Sequence, residues 1–302
     1  MNHFCTISTF SHLYKVYALA ESLKGLQPDF LLHVLVIDGS TDISFENCRF
    51  LNTTQLESEE GPIPAISKYK QHKDKLRWAL KPVFMKHMLD KQGIEKVIYV
   101  DNDLFFYSEY QFLFDLLEKH SFVLTPHYYK HDPESDQNML EANFRVGMFN
   151  AGFVGASRNG LATLQWWADC CAYRCEKNSF RGLFDDQKYL DLVPVMEETA
   201  HIVRHKGCNL AGWNTDLCKR EIVNGEIIID NEFPVVFVHY NAYTIRKILQ
   251  GEDALLAPLY EQYEAILKKY NPKLKGKELF HREPFADKLK YSLWKIVDAL
   301  ST

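Results

Sequence analysis

The chain has 302 residues, enough for one sizeable hydrophobic core or for one domain with an appendage. Its residues are 46% hydrophobic, 25% charged and 14% aromatic, which is typical of a soluble globular protein and favours a packed fold over disorder. The formal net charge of −5 argues against a general nucleic-acid-binding protein, which would carry a basic excess.

The first residues show no basic, apolar and cleavable pattern, so we expect no signal peptide, and no apolar run is long enough to span a membrane. The seven cysteines are odd in number and form no C-x-x-C pair. This usage predicts reduced thiols in a cytoplasmic protein.

The N-terminal part predicts a strand, a helix and a second strand. Residues 4–8 are an apolar strand candidate, residues 11–23 have apolar side chains at helical spacing, and residues 31–37 form the next apolar run. Short connections between these elements indicate a βαβ unit and a parallel sheet. Ser8 and Asp38 then follow the two strands at the same edge of the sheet.

Residues 52–74 are polar and contain Gly61-Pro62-Ile63-Pro64, which predicts an irregular loop. This loop is either a mobile lid or a surface insertion without a special role. A helix follows over residues 76–89, with Pro82 in its first turn if the helix starts near Lys81.

Residues 97–100 are apolar and β-branched or aromatic, as in a strand buried on both faces, and two carboxylates follow directly. Because residues i and i+2 of an extended chain point to the same side, Asp101 and Asp103 can converge on one cation. Ligands of open α/β sheets bind at this end of the strands. The pattern favours an Asp-x-Asp metal-diphosphate site; a solvated turn with two acids is the alternative.

Several later elements are predicted from the same patterns. They are a helix over 109–119, a strand over 122–126 that ends at His127, a glycine-interrupted apolar segment over 146–154 around Asn150, a helix over 161–171, and a strand over 235–238. The glycines indicate a bulge or a close approach of the backbone to another group, with a structural turn as the alternative.

Asp185, Asp186 and Gln187 open a helix, either as caps or as groups aimed at a substrate. His239 follows the last strand, and with Asp101 and Asp103 it would complete a ligand set suited to Mn²⁺ or Mg²⁺.

The C-terminal part differs in character from the rest. After a predicted helix over 255–270, the stretch from Lys268 to Lys295 has nine Lys/Arg against three Asp/Glu. Residues 284–300 predict a basic amphipathic helix, which either lies on an anionic membrane surface or packs on the protein with a solvated basic face. We therefore predict a catalytic domain over residues 1–250 and a basic helical extension over 251–302.

The motifs in this order resemble those of GT-A glycosyltransferases, most closely the family 8-like nucleotide-diphospho-sugar transferases. The motifs are A-L-K-P (79–82), K-V-I-Y-V-D-N-D (96–103), L-T-P-H (124–127), F-N-A-G-F-V-G (149–155), G-L-F-D-D-Q (182–187), W-N (213–214) and V-H-Y (238–240). The resemblance covers residues 4–246 and implies a mixed, mainly parallel α/β sheet flanked by helices.

The resemblance also implies roles for individual residues. Asp101, Asp103 and His239 would hold the metal; Asn150, Asp186 and Gln187 would surround the donor sugar; Ser8, Thr9, Asp38, Lys81 and Asn102 would bind the nucleotide or lie near the metal. Two family features are missing: an acid at the end of the first strand, where this chain has Thr9 and Phe10, and a Gly and Lys-Pro-Trp after the late His. Arg246 is predicted to replace that lysine as a diphosphate contact.

The implied activity is a metal-dependent transfer of a sugar from a nucleotide-diphosphate donor, with UDP as the nucleotide and retention of anomeric configuration. The acceptor would be a glycan or lipid-linked glycan, as in polysaccharide biosynthesis. A sugar nucleotidyltransferase would carry a Gly-rich phosphate loop near the first strand, which is missing. A non-catalytic nucleotide- or glycan-binding module remains the alternative from another class.

Overall fold

In the computed structural model, which describes residues 1–274, strands and helices alternate along most of the chain. The strands are β1 (Asn2–Ser8), β2 (Phe30–Val36), β3 (Cys48–Asn52), β4 (Lys96–Val100), β5 (Leu104–Phe106), β6 (Phe122–Pro126), β7 (Phe149–Ser157), β8 (Glu176–Asn178), β9 (Leu183–Asp185), β10 (Ala200–Ile202), β11 (Arg220–Val223), β12 (Glu226–Ile229), β13 (Phe233–Pro234) and β14 (Phe237–His239). The helices are α1 (Leu13–Leu26), α2 (Thr53–Glu60), α3 (Pro64–Tyr69), α4 (Lys73–Ala79), α5 (Lys81–Asp90), α6 (Gln111–Leu116), α7 (Gln137–Arg145), α8 (Leu161–Tyr173), α9 (Val193–Met196), α10 (Ala242–Leu249) and α11 (Ala257–Tyr270).

A seven-stranded sheet forms the centre of the fold, in the order β10-β6-β7-β4-β1-β2-β3. Neighbouring strands are parallel except at β7, which runs antiparallel to both β4 and β6. The predicted βαβ unit is present, because β1 and β2 are parallel neighbours joined by α1. The expectation of a mixed, mainly parallel sheet is confirmed.

Helices cover both faces of this sheet. Val97 and Tyr99 of β4 pack into a core shared with α5 and α8, whereas Ile98 and Val100 pack into a second core shared with α1 and α6. Successive side chains of a strand point to opposite faces, so an uninterrupted apolar run is buried on both. The prediction of a doubly buried strand before Asp101 is confirmed.

The prediction of an irregular loop over residues 52–74 is wrong. This region contains α2, α3 and the start of α4. Asn52 caps α2 by accepting a hydrogen bond from the Gln55 backbone, while the Gln55 side chain accepts one from the Asn52 backbone. Leu56 and Tyr69 are buried in the core. The polar composition obscured helices that bury only a few apolar residues each.

Other predicted elements differ in extent. The helix over 76–89 is two helices, α4 and α5, and α5 starts at Lys81 with Pro82 in its first turn. The helix over 109–119 is limited to α6. The segment after Asp186 is a 3-10 helix, Gln187–Leu192, instead of an α-helix.

The short strand β5 follows the two carboxylates and pairs antiparallel with β14, which sets His239 opposite Leu104. The last described helix, α11, packs against α1 and α10. Its Tyr263 and Leu267 share a core with Tyr240, so residues 257–270 lie against the sheet-bearing part of the chain. The domain division at Gly251 stays a prediction, and the basic helix over 284–300 lies outside the described residues. Within residues 1–274, no helix has the length and apolar character that crossing a membrane requires.

Candidate active site

The turn after β4 brings three metal-competent side chains together. The Asp101 backbone donates to Gly152 O at 2.8 Å, and the Leu104 backbone donates to Asp101 O at 3.1 Å, which closes the turn. His239 Nε2 lies 3.2 Å from Asp103 Oδ1 and 4.0 Å from Asp101 Oδ2. One ligand atom from each of these three side chains lies within 4.8 Å of the other two.

These three side chains fit a divalent cation. Burial alone would raise the pKa of Asp103, but the adjacent His239 imidazole and Lys15 hold that pKa well below its ordinary value. Asp103 is therefore ionised at neutral pH. Two carboxylates with one imidazole are a donor set that suits Mn²⁺ and Mg²⁺.

Gly152 of β7 faces this cluster directly. A Cβ atom at this position would lie 2.5 Å from His239 Cε1 and 2.6 Å from Asn150 Oδ1, closer than real Cβ atoms approach other atoms, and 3.0 Å from Asp101 Oδ2. The absence of a side chain at Gly152 leaves room for the three groups. The glycine pattern of this strand marks a close approach, as one of its two sequence interpretations predicted.

Lys81 joins the metal-competent cluster to Asp186. Its ammonium lies 3.3 Å from Asp101 Oδ1 and 3.2 Å from Asp186 Oδ2, and it donates to Ala151 O at 3.0 Å. Burial would lower the pKa of Lys81, but the two carboxylates raise it above its ordinary value. Burial raises the pKa of Asp186 to about 6, although Lys81 opposes that rise.

Asn150 and Gln187 belong to a closed hydrogen-bond network around His127. His127 Nδ1 lies 2.9 Å from Gly147 O and must donate to it, so Nε2 accepts from Asn150 Nδ2 at 3.1 Å. Gln187 Oε1 accepts from Asn150 Nδ2 and from the Ala151 backbone. Asn150 Oδ1 accepts from the Gly152 backbone. Burial lowers the pKa of His127 to about 3, so the ring is neutral and this arrangement holds at neutral pH.

These groups line one cleft of about 280 Å³. Asp185, one of the two acids that the sequence offered as caps or as substrate-directed groups, also lines the cleft, together with residues that the sequence did not indicate, namely Arg77, Trp78, Tyr99, Lys177, Phe184 and Asn241. The sequence analysis also missed Lys15, whose Nζ lies 3.9 Å from Asp103 Oδ2. Arg77 precedes Lys81 by four residues in the predicted helix over 76–89. This spacing places both side chains on one face of a helix and could have indicated that Arg77 accompanies Lys81. Lys177 and Asp185 are brought into the cleft by a hairpin that their sequence does not indicate.

Of the residues predicted to bind the nucleotide, Lys81 and Asn102 line the cleft, whereas Ser8, Thr9, Asp38 and Arg246 are not part of its lining. Asn102 lines the cleft and donates to Ser8 Oγ at 3.0 Å. Thr9 Oγ1 contacts His12 Nδ1 at 2.6 Å. The Asp38 carboxylate accepts from the Phe10 backbone at 2.7 Å and pairs with Lys73 at 2.5 Å. Arg246 lies on the exposed side of α10, with its guanidinium 5.1 Å from the centre of the Tyr243 ring.

Comparisons with known proteins add relatives and fold neighbours. No family model matches the chain. The chain is 30% identical over 250 residues to the uncharacterized protein YfnD of Bacillus subtilis strain 168, a match that covers 80% of this chain and 78% of that protein. It is 25% identical over 256 residues to the uncharacterized protein YfnF of the same strain, with 81% and 82% covered.

Two solved structures have a similar fold. The galactosyltransferase LgtC, crystallised with donor and acceptor sugar analogs, superposes with a TM-score of 0.53 over 88% of this chain and 95% of that one, at 16% identity. The glycosyltransferase GlyE of Streptococcus pneumoniae TIGR4 superposes with a TM-score of 0.50 over 90% of this chain and 63% of that one, at 12% identity.

These superpositions confirm the predicted fold, which is the GT-A fold of glycosyltransferases. Membership of family 8 stays a prediction. The identity to YfnD extends over more than two thirds of both chains. The chain therefore belongs to the protein family of Bacillus subtilis YfnD and has a GT-A glycosyltransferase fold.

Proposed function

We propose that this protein is a metal-dependent glycosyltransferase that moves a sugar from a nucleotide-diphosphate donor to a glycan or lipid-linked glycan. One observation carries the proposal. The Asp101, Asp103 and His239 cluster and the buried Lys81–Asp186 pair share one cleft at the carboxyl edge of a GT-A sheet. This edge is where ligands of open α/β sheets bind.

The charges of the cleft suit a diphosphate leaving group. Asp101, Asp103 and His239 would hold Mn²⁺ or Mg²⁺, which when bound stabilises the charge that develops on the departing diphosphate. The Lys81 ammonium lies 3.3 Å from Asp101 Oδ1, whereas His239 faces the other oxygen, Oδ2. Lys81 thereby orients the Asp101 carboxylate toward the metal position. Arg77 lines the same cleft and adds a second permanent positive charge beside the diphosphate position.

Asp186 is the carboxylate that we assign to the reacting sugar. Transfer passes through an oxocarbenium-like state, and a nearby carboxylate stabilises its positive charge. With a pKa of about 6, Asp186 is mostly ionised at neutral pH. Asn150 and Gln187, whose amides are engaged in the His127 network, would hold the β7 backbone against the donor sugar.

The proposed function also includes the nucleotide, the stereochemistry, the nucleotide contacts and the cellular location. We propose UDP as the nucleotide, retention of configuration, and base or ribose contacts from Ser8, Thr9, Asp38 and Asn102, with Arg246 near the diphosphate. We also propose a cytoplasmic location, in which the basic residues after Lys268 attach the protein to a membrane surface. The family resemblance supports the nucleotide and the stereochemistry, and the basic composition supports the attachment.

The test is a panel of nucleotide sugars incubated with Mn²⁺, with and without a chelator, and assayed for free nucleoside diphosphate. Wild type is compared with Asp103→Ala and with Asp115→Ala, which removes an exposed aspartate of α6 outside the cleft. We expect release by wild type and Asp115→Ala that requires metal, and a loss of at least about 100-fold in Asp103→Ala.

The acceptor is supplied in parallel reactions as mixed glycans, because an obligatory acceptor would otherwise hide the activity. Metal-dependent nucleotide binding without release under either condition would favour the binding-module alternative. If Asp103→Ala kept full activity, or if wild type bound no nucleotide with metal, the proposed site would be wrong.

A further inference from the structure

The β8–β9 hairpin forms one wall of the cleft and carries a lysine held between two aromatic rings. Lys177 of β8 lies with its ammonium 5.3 Å from the centre of the Trp78 ring and 4.9 Å from the centre of the Phe184 ring. The same ammonium lies 3.5 Å from Asp185 Oδ2. Two cation–π contacts and one carboxylate favour this position of the ammonium, on a side chain that is 57% exposed to the cleft and to solvent.

Within the part of the chain that the structure describes, Asp185 carries an unpaired buried oxygen atom at the wall of the cleft. Its φ angle is +51°, in the left-handed region, which Asn and Asp enter more readily than other residues with a side chain. The residue is 5% exposed, and its Oδ1 atom is buried without a hydrogen-bond partner among residues 1–274. A buried polar atom without a partner calls for an explanation, and at the wall of a cleft a bound ligand supplies one.

A chain of contacts connects this pair to the metal-competent cluster. Asp186 follows Asp185, and its Oδ2 lies 3.2 Å from Lys81 Nζ, which lies 3.3 Å from Asp101 Oδ1. A diphosphate held through a divalent cation at Asp101, Asp103 and His239 would therefore have its sugar close to Asp186 and within reach of the hairpin. Lys177, Asp185 and Trp78 all line this cleft.

We propose that Lys177 and Asp185 form a subsite for two neighbouring hydroxyl groups of the donor sugar, and this rests on the proposed function. The Lys177 ammonium donates to one hydroxyl oxygen, and the Asp185 carboxylate accepts a hydrogen bond from the other hydroxyl. The class of ligand is a neutral hexose. An acidic sugar is disfavoured because the Lys177 ammonium is already paired with Asp185 at 3.5 Å and the Lys81 ammonium with Asp186 at 3.2 Å, which leaves no unpaired positive charge among these residues for its carboxylate.

The test measures binding of two ligands with Mn²⁺ by calorimetry: the donor that wild type turns over and its free nucleoside diphosphate. For a uridine-linked hexose these are UDP-glucose or UDP-galactose, and UDP. Lys177→Met keeps the unbranched stem between the two rings and removes the ammonium. Arg181→Met is the matched control, because Arg181 lies at the exposed turn of the same hairpin.

We expect Lys177→Met to weaken binding of the donor by about 10- to 100-fold, the range for a hydrogen bond to a charged group. Affinity for the nucleoside diphosphate should stay within about twofold of wild type, because that ligand has no sugar. Arg181→Met should leave both affinities unchanged. Asp185→Asn, which tolerates the positive φ angle, should reduce discrimination between the donor and its C4 epimer.

Equal losses of affinity for the donor and the nucleoside diphosphate would overturn the subsite, because they would report a general disturbance of the cleft. Unchanged donor affinity in Lys177→Met with unchanged epimer discrimination in Asp185→Asn would also overturn it. A wild type that turns over no donor would instead contradict the proposed function, and the subsite would fall with it.

Discussion

At the scale of single residues, the site depends on buried groups in close contact with one another. Lys81 is 3% exposed and shares its ammonium between carboxylates from two separate segments, Asp101 and Asp186. Removing one member of a buried charged set leaves the others unpaired and costs more than the pair itself contributes. Gly152 is equally constrained, because the neighbouring imidazole occupies the space that a side chain would need.

Gly152→Ala should weaken Mn²⁺ binding at least about tenfold and lower the free energy of unfolding by about 1–3 kcal/mol, because its Cβ would displace His239. Gly25→Ala is the control: nothing lies within 4 Å of its added Cβ, and it lies in α1. That change should raise stability by about 0.5–1 kcal/mol. Metal titration and chemical unfolding measure both variants; wild-type Mn²⁺ affinity in Gly152→Ala would contradict the geometry.

Asp186 should make stability depend on pH. Its pKa is raised to about 6 in the folded protein from an ordinary value of 3.8. The folded state therefore keeps a proton that the unfolded state loses, and the contribution of Asp186 to stability falls as pH rises through this window. Between pH 4 and pH 7, the unfolding free energy of Asp186→Asn should gain about 1–3 kcal/mol relative to wild type.

Chemical unfolding at several pH values measures that difference between variant and wild type. Asp115→Asn, at an exposed position on α6, provides the control and should show a difference that stays constant with pH. A constant difference for Asp186→Asn as well would mean that folding does not raise the pKa of the Asp186 carboxyl.

At the scale of elements, two short strands and the last described helix set the position of His239. Strand β14 pairs with β5, and the Tyr240 backbone donates to Asp103 O at 2.8 Å. The Tyr240 ring stacks on Tyr263 of α11, with ring centres 4.4 Å apart and planes 9° from parallel. The helix α11 thus supports the segment that carries the imidazole ligand.

Tyr263→Ala should lower the free energy of unfolding by about 3–5 kcal/mol and weaken Mn²⁺ binding, because it removes the ring on which Tyr240 rests. Tyr263→Phe keeps the ring and removes a buried hydroxyl that has no hydrogen-bond partner among residues 1–274. This variant should match or exceed wild-type stability and bind Mn²⁺ normally. Calorimetric metal titration and thermal unfolding compare the two; normal metal affinity in Tyr263→Ala would separate α11 from the site.

At the scale of the whole molecule, burial protects the thiols. All seven cysteines are free, and five of them are buried, with only Cys48 and Cys170 partly exposed. Burial raises the pKa of the thiols of Cys5, Cys171 and Cys208 well above the ordinary value. A thiol that is both inaccessible and protonated reacts slowly.

An aromatic disulfide reagent should therefore label at most two thiols rapidly in the native protein and all seven after unfolding without reductant. The absorbance of the released thiolate measures both numbers. Rapid labelling of three or more thiols would show that the core opens, and fewer than seven after unfolding would reveal a disulfide.

The sequence by itself determined the parts of this protein that depend on local pattern. The apolar run before Asp101 and the i, i+2 spacing of Asp101 and Asp103 predict a buried strand that ends in converging carboxylates, since strand periodicity is a local property. The N-terminal βαβ unit follows from the same periodicity. The position of His239 after another buried strand already suggested its association with the two acids, and the family resemblance added the GT-A fold.

Only the tertiary structure decided which distant segments meet. The insertion of β7 between β4 and β6 and the pairing of β5 with β14 join segments far apart in the chain, and tertiary packing also sets the local β8–β9 hairpin against Trp78 of α4. Apolar periodicity indicates which face of a strand is buried, but it does not specify the neighbouring strand. The position of the Lys177–Asp185 pair in the cleft and the space at Gly152 therefore depend on strand order and packing, which local sequence does not encode.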